Sequence, residues 1–85
     1  MNSSKIIVYG ADWCSDCIRT KFYLDSKKIP YVYINIDNDK KSAEKVEKMN
    51  NGYKSIPTIA FPNGTIIVEP TNKELKTAID KNYQI

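Results

Sequence analysis

The sequence predicts one α/β domain, ordered β-α-β-α-β-β-α, in which three helices flank a four-stranded mixed sheet. Three observations carry that prediction. Short β-branched runs alternate with stretches of helical periodicity through the first half of the chain. Two strand-like runs in the second half are joined by Pro62-Asn63-Gly64, a hairpin signal. The length of 85 residues suits a single domain, residues 1–85, that buries about 60–65% of its unfolded surface.

Each element has its own local cause. Lys5 to Tyr9 is a β-branched run ended by Gly10, so it reads as a buried strand. From about Ser15 to Ser26 the pattern turns helical, with Ile18, Phe22 and Leu24 expected on the inner side. Ile29-Pro30 closes that stretch, because the residue before proline disfavours helix. Tyr31 to Asp37 alternates as a strand, with Val32, Ile34 and Ile36 on one face and Tyr31, Tyr33 and Asn35 on the other.

A second helix is predicted over about Asp39 to Asn50, with Ala43, Val46 and Met49 as its apolar stripe and Gly52 as its stop. Thr58 to Phe61 and Thr65 to Val68 form the hairpin strands. The last helix opens at Thr71, whose hydroxyl and the carboxylate of Glu74 fit a capping box. Leu75, Ala78 and Ile79 are its inward residues. A helix links the first two strands, which makes them parallel.

Composition excludes several function classes. The longest apolar run, Ile6-Ile7-Val8-Tyr9, is too short for a membrane span or a signal-peptide core. The preceding Met1 to Lys5 is polar and expected to fray. With no export signal, a cytoplasmic location is expected, where thiols are kept reduced. The net charge is +3, with twelve lysines and one arginine spread along the chain, unlike the clustered Arg-rich patch of a nucleic-acid binder. A monomer that engages neither nucleic acid nor membrane is expected.

The chemistry centres on Trp13-Cys14-Ser15-Asp16-Cys17, which uses the chain's only tryptophan and both of its cysteines. Two cysteines placed at random in such a chain would fall three apart roughly 2% of the time, which argues against an idle spacing. A disulfide across so small a loop removes little chain entropy and makes a poor staple. The pair suits a switch between dithiol and disulfide. At a helix start, Cys14 faces unpaired N–H groups and the positive end of the helix dipole, which favour its thiolate. Asp16 opposes this through solvent and modulates it. Cys17, one turn on, is expected to be the more buried thiol. Cys14 would attack a disulfide, and Cys17 would attack Cys14 to release the reduced product.

Other residues have two readings each. Trp13 is either a partly buried anchor or an apolar rim beside the thiol. Arg19 and Lys21 either solvate the outer face of the helix, the expected role on composition, or add positive potential to the site. Pro57 after Ile56 reads on composition as a plain strand boundary.

The runs Tyr9 to Cys17, Ser55-Ile56-Pro57-Thr58 and Phe61-Pro62-Asn63-Gly64-Thr65, with Lys21 four residues after Cys17, resemble the glutaredoxin family of the thioredoxin-like fold. The tryptophan before the cysteines and the run Glu69-Pro70-Thr71 are similar to its mycoredoxin-like branch. The resemblance implies that Pro57 is cis and packs beside the nucleophile. It implies that the backbone of Ile56 pairs with an extended thiol peptide, and that Thr71 and Asn72 lie where relatives hold a thiol's carboxylate. It keeps Trp13 as a substrate contact and Lys21 as a modulator.

Ala11 replaces the lysine of glutathione-binding members. Glu69-Pro70 and Asn72-Lys73 replace their Gly-Gly kink and acidic residues. The electron donor is therefore expected to be another low-molecular-weight thiol or a flavoprotein reductase, and disulfide-containing proteins the substrates. No tightly bound cofactor is needed beyond the redox-active Cys14–Cys17 disulfide. The alternative is an iron–sulfur carrier. The chain has no histidine, so one CxxC cannot complete a four-ligand metal site, but a dimer could share a [2Fe–2S] cluster through Cys14. Ser15, where the family's CPxC has proline, is compatible with that.

Overall fold

A computed structural model describes residues 5–83; the expected fraying of Met1 to Ser4 lies outside them. The elements are β1 (Ile6–Gly10), α1 (Ser15–Ser26), β2 (Tyr31–Asn35), α2 (Lys40–Met49), β3 (Thr58–Ala60), β4 (Ile66–Val68) and α3 (Asn72–Asn82). The strands form one four-stranded sheet in the order β2-β1-β3-β4. β1 runs parallel to β2 and antiparallel to β3, and β3 pairs antiparallel with β4, so the sheet is mixed as predicted.

Each face of the sheet has its own core. On one, Ile6, Val8 and Ile59 pack against Leu24 of α1 and Leu75, Ala78 and Ile79 of α3. On the other, Tyr9 and Ile36 pack against Ala43 and Val46 of α2, with Met49 partly buried beside them. Burying a side chain such as Leu24 or Leu75 contributes about 1.5–3 kcal/mol. Among the described residues no helix is long and apolar enough to cross a membrane.

The inner side of α1 differs from the expectation. Cys17, Thr20 and Leu24 are buried, whereas Ile18 is 54% and Phe22 75% exposed. Apolarity alone misleads here because Thr20 can be buried at little cost. Its hydroxyl donates to Asp16 O at 2.9 Å, one turn back, so no polar group is stranded. With positions 17, 20 and 24 inward, 18 and 22 must face out.

Strand limits also shift. β1 takes in Gly10 instead of ending before it. β2 stops at Asn35, where the Asn35 side chain accepts from Asp37 N–H at 2.9 Å and its carbonyl from Asn38 N–H at 3.1 Å, turning the chain. Tyr31 and Tyr33 pack against the α1–α3 core, while Val32 is exposed on this edge strand.

Helix ends follow capping chemistry. α1 closes in a Schellman motif, with Ile29 N–H donating to Leu24 O and Lys28 N–H to Asp25 O, both at 3.0 Å, and Lys28 left-handed at φ 56°. Asp39 caps α2 by accepting from Ser42 N–H at 3.1 Å. Asn51 and Gly52, at φ 57° and 97°, end α2, and Gly52 N–H donates to Glu47 O. At α3 the capping box is complete: Glu74 N–H donates to Thr71 Oγ1 at 3.1 Å, and Thr71 N–H to Glu74 Oε1 at 2.9 Å.

Candidate active site

The central strand β1 delivers the chain to the head of α1, and Cys14 is the N-cap of that helix. Its backbone is extended, and its sulfur accepts the N–H of Cys17 at 3.2 Å. A thiol thus takes the place usually held by a capping oxygen, on an otherwise orphaned donor. Both cysteines are free thiols in this structure. Cys17 is 0% exposed and Cys14 8%, so both lie deeper than an open thiol would, in a small cluster with Ala11 and the partly buried Ile56. Burial pushes the Cys17 thiol up to about 12, reinforced by its hydrogen bond with Cys14.

The Ile56–Pro57 bond is cis and Pro57 is fully buried. The sequence alone favoured a plain boundary at Pro57, and the family resemblance the cis form. Thr58 anchors the segment: its hydroxyl donates to Ser55 O at 2.6 Å and accepts from Asn50 Nδ2 at 3.1 Å. Glu69 N–H donates to Pro57 O at 2.8 Å. Glu69 itself is left-handed at φ 49°, so a non-glycine residue makes the bend that leads into α3. Among the described residues, the backbone N–H and C=O of Ile56 take no hydrogen bond.

Trp13 is 73% exposed and is held by a 2.7 Å hydrogen bond from its Nε1 to Asp37 Oδ2, which excludes the buried-anchor reading. Thr71 and Asn72 stand at the start of α3. Arg19 meets them there. Its Nη1 donates to Asn72 Oδ1 at 2.6 Å, its Nη2 to Pro70 O at 3.0 Å, and Asp16 Oδ1 lies 3.6 Å from Nη2. Sequence reasoning had left Arg19 to solvate the helix. A lone arginine two residues after the CxxC was the available signal. Asp16 therefore shares its charge with Arg19 and does not act on Cys14 alone. Lys21 Nζ sits 4.1 Å above the Tyr33 ring, a cation–π contact that ties α1 to β2.

Among the described residues no group of three or more His, Cys, Asp or Glu side chains could hold a metal ion. One chain offers only the two thiols, so any cluster held through Cys14 needs ligands from elsewhere.

Known proteins resemble this chain in sequence and fold. The glutaredoxin family profile matches residues 6–67. Mycoredoxin 1 of Corynebacterium glutamicum is 30% identical over 77 residues, spanning 91% of this chain and 95% of the relative. The glutaredoxin of Archaeoglobus fulgidus superposes with a TM-score of 0.77 at 26% identity, covering 89% of this chain and 86% of that one. Wheat glutaredoxin, at 17% identity and a TM-score of 0.66, covers 94% of this chain and 74% of its own and shares the fold. With the family profile spanning most of its length and the cysteine pair at the head of α1, the chain belongs to the glutaredoxin family of thiol–disulfide oxidoreductases.

Proposed function

We propose that this glutaredoxin reduces protein disulfides, or mixed disulfides between a protein and a low-molecular-weight thiol, with Cys14 as nucleophile and Cys17 as resolving thiol. One observation carries the assignment: Cys14 Sγ accepts the Cys17 N–H at the N-terminus of α1, while burial holds Cys17 in its thiol form. The two sulfurs are thereby unequal, as a sequential mechanism requires.

The Cys14 thiolate attacks one sulfur of the substrate disulfide. The substrate S–S bond breaks, and the first thiolate leaves with the electron pair. Cys17 then loses its proton and attacks Cys14, expelling the second thiolate and leaving the Cys14–Cys17 disulfide. A small thiol or a flavoprotein reductase returns the two electrons. The free backbone of Ile56 beside Pro57 supports docking of an extended peptide as an added strand. Trp13 supplies an apolar wall next to Cys14. Asn72 and Thr71, together with Arg19, make a polar corner whose guanidinium, shared with Asp16, suits the carboxylate of a small thiol. The protein works in the cytoplasm as a monomer in this reading.

Trapping the mixed disulfide tests it. A Cys17→Ser variant expressed in its native host is expected to carry an adduct on Cys14, and the intact mass tells a small thiol from a protein partner. Unmodified Cys14 in that variant would refute the nucleophile assignment. Brown, visibly absorbing wild-type protein would instead favour the cluster carrier.

A further inference from the structure

Tyr33 belongs to β2, yet its hydroxyl lies at the resolving thiol. Gly10 makes the approach possible: a Cβ there would stand 2.6 Å from Tyr33 Oη and 2.8 Å from Cys17 Sγ. The hydroxyl donates to Ala11 O at 3.2 Å, which is long for an O–H···O bond. The Cys17 sulfur and this hydroxyl crowd the same space above Gly10, and a hydroxyl proton turned to the sulfur favours its ionised form. From outside, the Lys21 ammonium covers the ring at 4.1 Å. One phenolic proton therefore has two acceptors, a carbonyl that it reaches poorly and a sulfur that becomes charged during turnover.

We propose that Tyr33 is a catalytic residue of the resolving step, its hydroxyl turning from Ala11 O to the Cys17 sulfur as that thiol ionises. The proposal rests on Cys17 being the resolving thiol. In the step, the Cys17 proton leaves to solvent and the thiolate attacks Cys14 Sγ within the mixed disulfide. The bond from Cys14 to the substrate sulfur breaks, and the substrate departs as a thiolate that takes a proton from water. A buried thiolate at Cys17 is costly, and burial is the largest influence raising that thiol. Ala11 N–H and the Tyr33 hydroxyl are the donors that work against it. Tyr33 is itself pushed up to about 12, first by burial and then by Cys17, Asp12 and Cys14, so it remains a donor at neutral pH. The titratable and charged groups facing the pair are Cys14 and Lys21 on the α1 side and Asp12 in the loop before it.

The two half-reactions separate with an aromatic disulfide, dithiobis(nitrobenzoate). Attack by Cys14 releases one coloured thiolate, and resolution by Cys17 releases a second. Tyr33→Phe keeps the ring beneath Lys21 and is expected to slow the second release about tenfold, raising its pH midpoint by about one unit. Fluorotyrosine at position 33, a more acidic donor of nearly the same shape, is expected to move the midpoint the other way. Wild-type rate and pH dependence of the second phase in both variants would overturn the proposal, as would equal slowing of both phases. Cys17→Ser, measured in parallel, is expected to release one equivalent. If Cys14→Ser, which also keeps a single thiol, releases its equivalent at the wild-type initial rate while Cys17→Ser does not, the assignment of Cys17 as the resolving thiol fails instead.

Discussion

Arg19, on the first helix, donates to the side-chain oxygen of Asn72 at 2.6 Å, across 53 positions of sequence. With the second bond to Pro70 O, this clamps the start of α3 to the helix that carries the cysteines. In the proposed function this guanidinium also meets the carboxylate of a small thiol. Arg19→Ala is expected to raise KM several-fold for a mixed disulfide of such a thiol, with kcat nearly unchanged. The lost bonds at this part-exposed site are expected to lower stability by about 1 kcal/mol. Steady-state kinetics with an acidic and an amidated form of the same small thiol checks this. An equal KM change for both forms would reduce Arg19 to a structural tie.

Trp13 is held over the surface by Asp37 at 2.7 Å. Asp37→Ala removes the tether without touching the cysteines. Its expected effect is a several-fold rise in KM for a protein disulfide and little change for a small aromatic disulfide. Identical responses of the two substrates would count against Trp13 as a substrate wall.

Lys28 offers a stability gain away from the chemistry. It occupies the left-handed position of the α1 Schellman motif at φ 56°, which costs a residue with a Cβ about 1–2 kcal/mol. Lys28→Gly is expected to stabilise the fold by about 1 kcal/mol and to raise Tm by roughly 4–8 °C. Thermal and denaturant unfolding check this, and an unchanged or lower midpoint would contradict it.

Alkaline pH is expected to destabilise the fold. Tyr31 is pushed from 10.0 up to about 12, chiefly by burial and then by its hydrogen bond to Asp25. Below about pH 10 the tyrosine is protonated in both states and its contribution is whole. Between about 10 and 12 the unfolded chain ionises first, so stability falls as pH rises through the folded-state value. Tyr33 behaves alike. Denaturant midpoints measured across this range are expected to fall less steeply in Tyr31→Phe than in the wild type. Parallel slopes would refute the contribution of Tyr31.

Features legible in the sequence were those whose cause lies within a few residues. The α1 limits at Ser15 and Ser26, the Thr71–Glu74 box and the apolar stripes of α2 and α3 each follow from local hydrogen bonding and periodicity. The α1 face was misread because Thr20 hides its hydroxyl on its own helix, leaving Phe22 outside. Arg19 was misread because its hydrogen-bond acceptors, Pro70 O and Asn72 Oδ1, lie 51 and 53 positions away in sequence.

The CxxC spacing and the start of α1 are enough to put Cys14 on the cap, since both are local consequences of chain order. The sequence therefore determined the element order and which two sulfurs the proposed exchange uses. Only the tertiary structure decided their surroundings: a Cys14 buried almost as deeply as Cys17, Arg19 against Asn72, and Tyr33 closing on Cys17 over Gly10. Those neighbours come from different strands and helices. Desolvation and hydrogen bonding across such contacts arise only once the sheet has brought the segments together.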